Sequence, residues 1–254
     1  MTIEIQTLGV GDAFSELYCS TAFILQCEGF RLAIDCPDRY RAVLKSLRDT
    51  SGSDHDLNDI DDFLITHVHG DHMNGLEAVT FYKRFVQGRR LRLYSAPEVR
   101  ASMWDERLKG SMATLWDGER LNTMSFDDYF DFEPLAWESS TMIGPFSIRT
   151  RRTKHHVPTS ALLIEAGGVA LGYSSDTAFD STLIDFLSQA DLIIHETTLG
   201  PSHTSLAQLL ELPDTIRHKL RLVHYPDVFD PNTSPLPALR EGQRICLNPG
   251  ERVS

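Results

Sequence analysis

The stretch Asp62-Phe63-Leu64-Ile65-Thr66-His67-Val68-His69-Gly70-Asp71-His72 decides the fold. Its first half reads as a buried strand ending at Thr66, and its second half places four metal-capable side chains within six residues. Side chains along an extended backbone alternate with period two, so His67 and His69 leave on the same side and reach one ion. Gly70 then lets the chain turn sharply. Asp71 and His72 point at a second ion from the start of a helix near Met73. Any single one of the ten histidines is most simply a polar loop residue. Four metal-capable side chains behind one apolar strand make a cradle, because borderline ions such as zinc take imidazole and carboxylate ligands.

His67-x-His69-x-Asp71-His72 resembles the HxHxDH signature of the metallo-β-lactamase superfamily. The resemblance implies an α/β fold, the four-layered αββα sandwich, with a dinuclear site at one edge. Upstream, Ile3 to Leu8, Thr21 to Gln26 and Arg31 to Asp35 alternate around a Glu28-Gly29 turn, the pattern of an antiparallel opening sheet. Leu8-Gly9-Val10-Gly11-Asp12 and Ile34-Asp35 resemble the superfamily's first strands, where the aspartate supports the site without being a ligand. Pro37 followed by Arg41 to Leu47 predicts a helix opening on proline. Downstream, Met73 to Phe85 has helical spacing, Arg89 to Tyr94 reads as a strand and Pro97 to Lys109 as another helix. The aromatic and acidic mixture from Gly110 to Trp137 suits core or dimer contact better than a substrate wall, which leaves a homodimer open. Asp54-His55-Asp56 and Asp59-Asp61-Asp62 read as solvated loops.

The remaining ligand candidates come from the resemblance. In the superfamily one histidine follows a strand such as Phe146 to Arg152, and the next strand starts about seven residues later. Leu162 to Glu165 fits that next strand and points to His155, with His156 as the alternative. Ser175-Asp176-Thr177 resembles the "GDT" turn whose aspartate bridges two ions, with serine in the glycine position. His195-Glu196-Thr197-Thr198 and His203-Thr204-Ser205 resemble the "HEAT" and "HST" elements of the ribonuclease Z-like, PhnP-like branch, and Arg221 to Tyr225 ends a strand in His224. The resemblance thus assigns His67, His69 and His155 to one ion, Asp71, His72 and His224 to the other, and Asp176 to both. Asp71 would also orient the water, and His203 backed by Glu196 would donate a proton to the leaving oxygen. His203 has a plainer reading as well: Thr204 or Ser205 caps the apolar helix that follows, with the imidazole in solvent.

Composition narrows the function. The 254 residues carry a net charge of −12 and no compositional shift that would divide them, so one domain spanning 1–254 is expected. Excess acid disfavours long nucleic acid, whose affinity comes from lysine and arginine displacing counterions. No run of about 18 apolar residues occurs and no basic-then-apolar leader opens the chain, which reads as cytoplasmic, without a membrane partner. The cysteines, Cys19, Cys27, Cys36 and Cys246, show no CxxC spacing and read as reduced thiols.

The expectation is therefore a dinuclear hydrolase acting on small cyclic or linear phosphodiesters, nucleotides among them. Its metals would be zinc or manganese, with iron also accepted by such ligands. One alternative is a tRNA 3′-end endonuclease of ribonuclease Z type. It is disfavoured because only 21 positions separate His155 from Asp176, where such enzymes commonly carry a long arm. A second alternative is a thioester or lactone hydrolase of the same fold, from which Glu196 and His203 distinguish the phosphodiesterase branch.

Overall fold

The computed structural model describes residues 1–250. In chain order the strands are β1 (Ile3–Gly9), β2 (Ala22–Cys27), β3 (Phe30–Ile34), β4 (Asp62–Leu64), β5 (Leu91–Ser95), β6 (Thr114–Trp116), β7 (Leu121–Thr123) and β8 (Phe130–Pro134). Then follow β9 (Ser140–Ile143), β10 (Phe146–Arg152), β11 (Ser160–Ala166), β12 (Val169–Tyr173), β13 (Leu192–Glu196), β14 (Leu220–Val223) and β15 (Arg244–Leu247). Seven form one sheet in the order β15-β1-β2-β3-β4-β5-β8, six form another in the order β14-β13-β12-β11-β10-β9, and β6 with β7 stands apart as a hairpin.

Three apolar layers separate four structural ones. Alternate residues of a strand face opposite ways, and here both parities are apolar, as in sheets buried on both faces. Leu32, Ile34 and Leu64 join Leu162, Ile164 and Ile194 between the two sheets. Ala33 and Phe63 face the other way, against Tyr40, Leu44 and Leu47 of helix α1 (Tyr40–Ser51) and Leu76 and Val79 of a later helix. Leu163 and Ile193 pack outward with Leu183, Phe186 and Leu187. This is the αββα sandwich.

Local departures from the expected elements have tertiary causes. Helix α1 starts at Tyr40 and not at Pro37, because Arg39 takes a left-handed conformation (φ 56°) that no helix continues through. The expected Met73 to Phe85 helix is two pieces, α2 (Gly70–Met73) and α3 (Leu76–Gln87). The break is tied to the 36–37 segment: Cys36 N–H donates to the His72 carbonyl (2.7 Å) and Gly75 N–H to the Cys36 carbonyl (2.9 Å). A Cβ on Gly75 would lie 2.1 Å from the Pro37 carbonyl oxygen, so only glycine fits there. Within 110–137, Phe126, Tyr129 and Phe130 are core, while Trp116 stands exposed on the β6–β7 hairpin. Asp61 and Asp62 are not solvated loop residues: Asp61 meets Lys83 (2.8 Å) and Arg89 (2.8 Å), and buried Asp62 meets Arg92 (2.5 Å). No helix among the described residues is long and apolar enough to cross a membrane, and all four cysteines are free.

Candidate metal centre

Strands β4, β10, β12 and β14 all finish at one edge of the sandwich, and the polar residues just beyond their ends converge there, where open sheets commonly bind ligands. His67 and His69 follow β4, Asp71 and His72 lie on α2, His155 follows β10, Asp176 follows β12 and His224 follows β14.

Two sets of donor atoms result. In the first, His69 Nδ1 lies 3.1 Å from His67 Nε2 and 3.0 Å from His155 Nε2. Asp176 Oδ2 faces the same two Nε2 atoms at 3.7 and 3.6 Å. In the second, Asp176 Oδ1 is 3.4 Å from His72 Nε2 and 3.6 Å from His224 Nε2, and Asp71 Oδ2 is 3.3 and 3.2 Å from those nitrogens. Asp176 therefore turns one oxygen to each set. Within each set the donor atoms all lie inside 4.8 Å of one another. His155, and not the exposed His156, is the member brought in.

Groups behind the sets fix their orientation, as around metal-binding imidazoles generally. Buried Asp35 accepts from His72 Nδ1 (2.8 Å) and from both the N–H and the hydroxyl of Thr66 (2.8 and 2.9 Å), so His72 presents Nε2 to the cradle. His155 Nδ1 donates to the Ser202 carbonyl (3.3 Å), again leaving Nε2 inward. Asp35, Ser175 and His224 all have left-handed backbone (φ 63°, 49° and 55°). Strain of this kind clusters at functional sites, and at Ser175 it accounts for the glycine of the resembled turn. Gly70 does not need its conformational freedom, contrary to expectation: its φ is not positive, and an added Cβ would meet the Asn74 amide at 2.7 Å.

The electrostatics suit cations. Burial, then the neighbouring His72, pushes His67 well below its ordinary range, and burial brings His155 down to about 4, so these imidazoles are neutral donors. In the second set burial opposes charging, yet Asp71, Asp176 and Asp35 raise His72 well above its usual range, and Asp176 and Asp71 raise His224. The carboxylates there draw positive charge, as protons if nothing else supplies it. His72 Nε2 and Asp176 Oδ1 are buried without a hydrogen-bond partner, a costly arrangement that a cation between them would relieve. The residues present fit divalent metal.

The Anti-Pycsar protein Apyc1 family matches residues 3–243. The chain belongs to that family. It is 32% identical over 236 residues to Anti-Pycsar protein Apyc1 of Paenibacillus sp. (strain J14), covering 89% of this chain and 91% of the relative. It is 33% identical over 239 residues to the protein of that name from Bacillus phage BSP38, covering 89% and 90%. In fold it is similar to the metallo-β-lactamase fold protein YhfI from Bacillus subtilis (TM-score 0.75, 17% identity, 96% of this chain and 99% of that one). A diphosphatase from the PhnP family (0.72, 14%, 99% and 100%) and human tRNase Z, short form (0.68, 20%, 95% and 98%) share it too.

In this member of the Apyc1 family a third cluster adjoins the sets: Glu196, His203 and His224. Glu196 Oε1 accepts from His203 Nδ1 (2.9 Å) and from Thr177 N–H (2.6 Å). The His203 ring stacks on His224, centroids 5.6 Å apart. The capping half of the plainer reading also holds, since Ser205 caps α4 (Leu206–Leu210) reciprocally with Gln208. The imidazole, however, turns in to Glu196 and not out to solvent. Burial, then repulsion from Asp176, raises the Glu196 carboxyl well above its usual range, against the pull of His224 and Thr177 N–H. His195 is a buried core histidine bonded to the Glu196 carbonyl (2.8 Å) and belongs to no donor set.

A cavity of about 600 Å³ opens over the cradle. Sequence reasoning missed its mouth: Phe14, Leu199, Pro226, Asp227 and Val228 line it together with His203. The chain just beyond His224 and Tyr225 thus borders the site. Only nearness to Asp12 and His224 in sequence hinted at these residues.

Proposed function

We propose that this protein is a metal-dependent phosphodiesterase acting on small cyclic or linear phosphodiesters, cyclic nucleotides foremost. The observation that carries the reading is Asp176, one carboxylate oxygen to each donor set, on the floor of the cavity that His203 lines with Glu196 buried behind it. His67, His69 and His155 would hold one divalent ion, Asp71, His72 and His224 a second, with Asp176 shared; zinc or manganese suits such donors. Bound there, such ions would supply Lewis acidity, bringing the pKa of water towards about 7 and neutralising phosphoryl oxygens.

The chain's own groups do the rest. Asp71, its carboxyl held far below its usual range by His72 and His224 despite burial, stays an acceptor that can orient a water proton. Glu196 fixes the His203 ring through Nδ1, which leaves Nε2 as the atom that can pass a proton to the departing oxygen. Asp35 and Thr66 hold the cradle rigid from behind.

Size and charge at the site favour a small substrate over tRNA. Between His155 and Asp176 the chain holds only β11, a Gly167-Gly168 turn and β12, with no arm to grip a long polyanion. Asp12 and Asp227 line the cavity, and acid there repels extended backbone phosphate. The relatives' shared name, Anti-Pycsar protein, and the PhnP-family neighbour support small phosphorylated substrates.

The test compares 3′,5′-cyclic nucleotides, bis-p-nitrophenyl phosphate, a pre-tRNA and a thioester, before and after chelation and for His69→Ala. Turnover of the small diesters should fall at least about 10³-fold on either treatment, and His69→Ala should retain less metal. Turnover that survives both, or a faster thioester reaction, sinks the assignment.

A further inference from the structure

The mouth of the cavity is unlike its floor. Phe14 is 90% exposed, Val228 84% and Leu199 72%, although each sits on a loop held firmly in place. Buried Asp12 accepts from the Phe14 N–H (3.0 Å) and from the Thr198 hydroxyl (2.8 Å), joining the loop of Phe14 to that of Leu199. Asp227 accepts from the Ser15 hydroxyl and the Glu16 N–H (2.8 Å), joining the same loop to that of Val228. Two carboxylates thus clamp three loops whose outward tips are apolar. Large apolar side chains held rigidly in water gain nothing for the fold. They lie on the same cavity as the cradle, so an anionic group on the floor leaves whatever it carries against Phe14.

We propose that Phe14 is the platform on which the planar base of a nucleotide substrate stacks while its phosphodiester occupies the donor sets, with Val228 and Leu199 as apolar neighbours of the base. This rests on the phosphodiesterase reading for the identity of the substrate. A phenyl ring offers any base a π-face, so the platform selects for an aromatic group attached to the phosphate and not for one base's hydrogen-bonding edge.

The test is binding first, on the metal-loaded full chain. Kd is measured for AMP and for ribose 5-phosphate, which share the phosphate and sugar and differ in the base. The wild type should bind AMP about 10- to 100-fold more tightly, Phe14→Ala should bring the two within about threefold, and Phe14→Trp should keep the difference. Unchanged metal content in both variants shows the cradle intact. Turnover of 3′,5′-cyclic AMP and of the base-free methylriboside 3′,5′-cyclic phosphate is followed in parallel, and Phe14→Ala should slow the first selectively through KM. Equal wild-type Kd values, or a ratio that survives Phe14→Ala, overturn the platform while leaving the phosphodiesterase reading standing. Turnover of neither cyclic phosphate, with the Kd pattern as expected, removes that reading and leaves the platform as a nucleotide-binding surface. If Phe14→Ala alters the sedimentation of the protein but not the Kd ratio, Phe14 serves a contact between copies and the platform is wrong.

Discussion

The two ends of strands β3 and β4 carry opposite kinds of polar cluster. At their starting ends Arg31 meets Asp54 (3.1 Å) and Asp59 (3.6 Å), Asp62 meets Arg92 (2.5 Å) and Tyr94 (2.9 Å), and buried Lys83 meets Asp61 (2.8 Å). At their finishing ends Asp35, Asp71 and Asp176 have histidines as their ion-pair partners, and buried donor atoms are left without hydrogen bonds. The same fold thus closes charge at one edge and leaves lone pairs converging at the other. A closed cluster holds the fold; an open one of carboxylate and imidazole calls for a cation. Acidic residues cannot be sorted into these kinds by counting them, only by what faces them.

The largest effect expected from breaking this contrast is at His203, beside the open cluster. His203→Ala should keep the metal content and lose about 10²- to 10⁴-fold in rate on diesters with poor leaving groups. Activated nitrophenyl esters need less protonation and should lose much less. An equal loss on both substrate types, or none on either, removes His203 from the mechanism. At the closed end, Asp61→Ala should do the reverse. It leaves Lys83 with the Leu57 carbonyl (2.5 Å) in place of its carboxylate partner, at a cost of about 3 kcal/mol in stability by denaturant unfolding. Metal content and KM should not move; a shift in either would mean the two ends are not separate.

Much of the open end was legible because its residues announce themselves locally. The run from Asp62 to His72 combines a buried strand with four donors, and Asp176 and His224 each follow an apolar strand, so the αββα sandwich and both donor sets could be read from pattern and resemblance. The spacing of the following strand favours His155 over His156, and packing agrees by bringing His155, and not His156, into the first set. The closed end was misread because pairing is tertiary: nothing near Asp61 or Asp62 in sequence shows that Lys83 and Arg92 arrive from α3 and β5. The break between α2 and α3 was hidden for a like reason, as Gly75 is held by Cys36 and Pro37. The mouth was hidden most completely. Phe14, Leu199 and Val228 come from three distant loops, and an exposed apolar residue in a polar loop has no periodicity to betray it.

The smallest effect sharpens the comparison from the closed end, through pH. His55 is buried beside Arg31, Asp54 and Arg244, with Nδ1 unpartnered, and burial, then Arg31, pushes it down to about 4 although Asp54 pulls the other way. Its folded pKa lies below its ordinary value of about 6.5, so the unfolded chain binds the proton more readily. The stability it contributes is therefore full above about pH 6.5 and is lost as the pH falls towards 4. Between pH 7 and about pH 4.5 the loss due to His55 comes to about 2 kcal/mol. Other buried histidines titrate in the same window, so the measurement is a difference. Unfolding free energies of wild type and His55→Gln are compared at both pH values under the same metal conditions, and the variant should show a shallower fall by about that amount. Parallel curves would mean that His55 is already charged in the folded protein and that the closed end, too, holds a group whose charge was read wrongly from its neighbours.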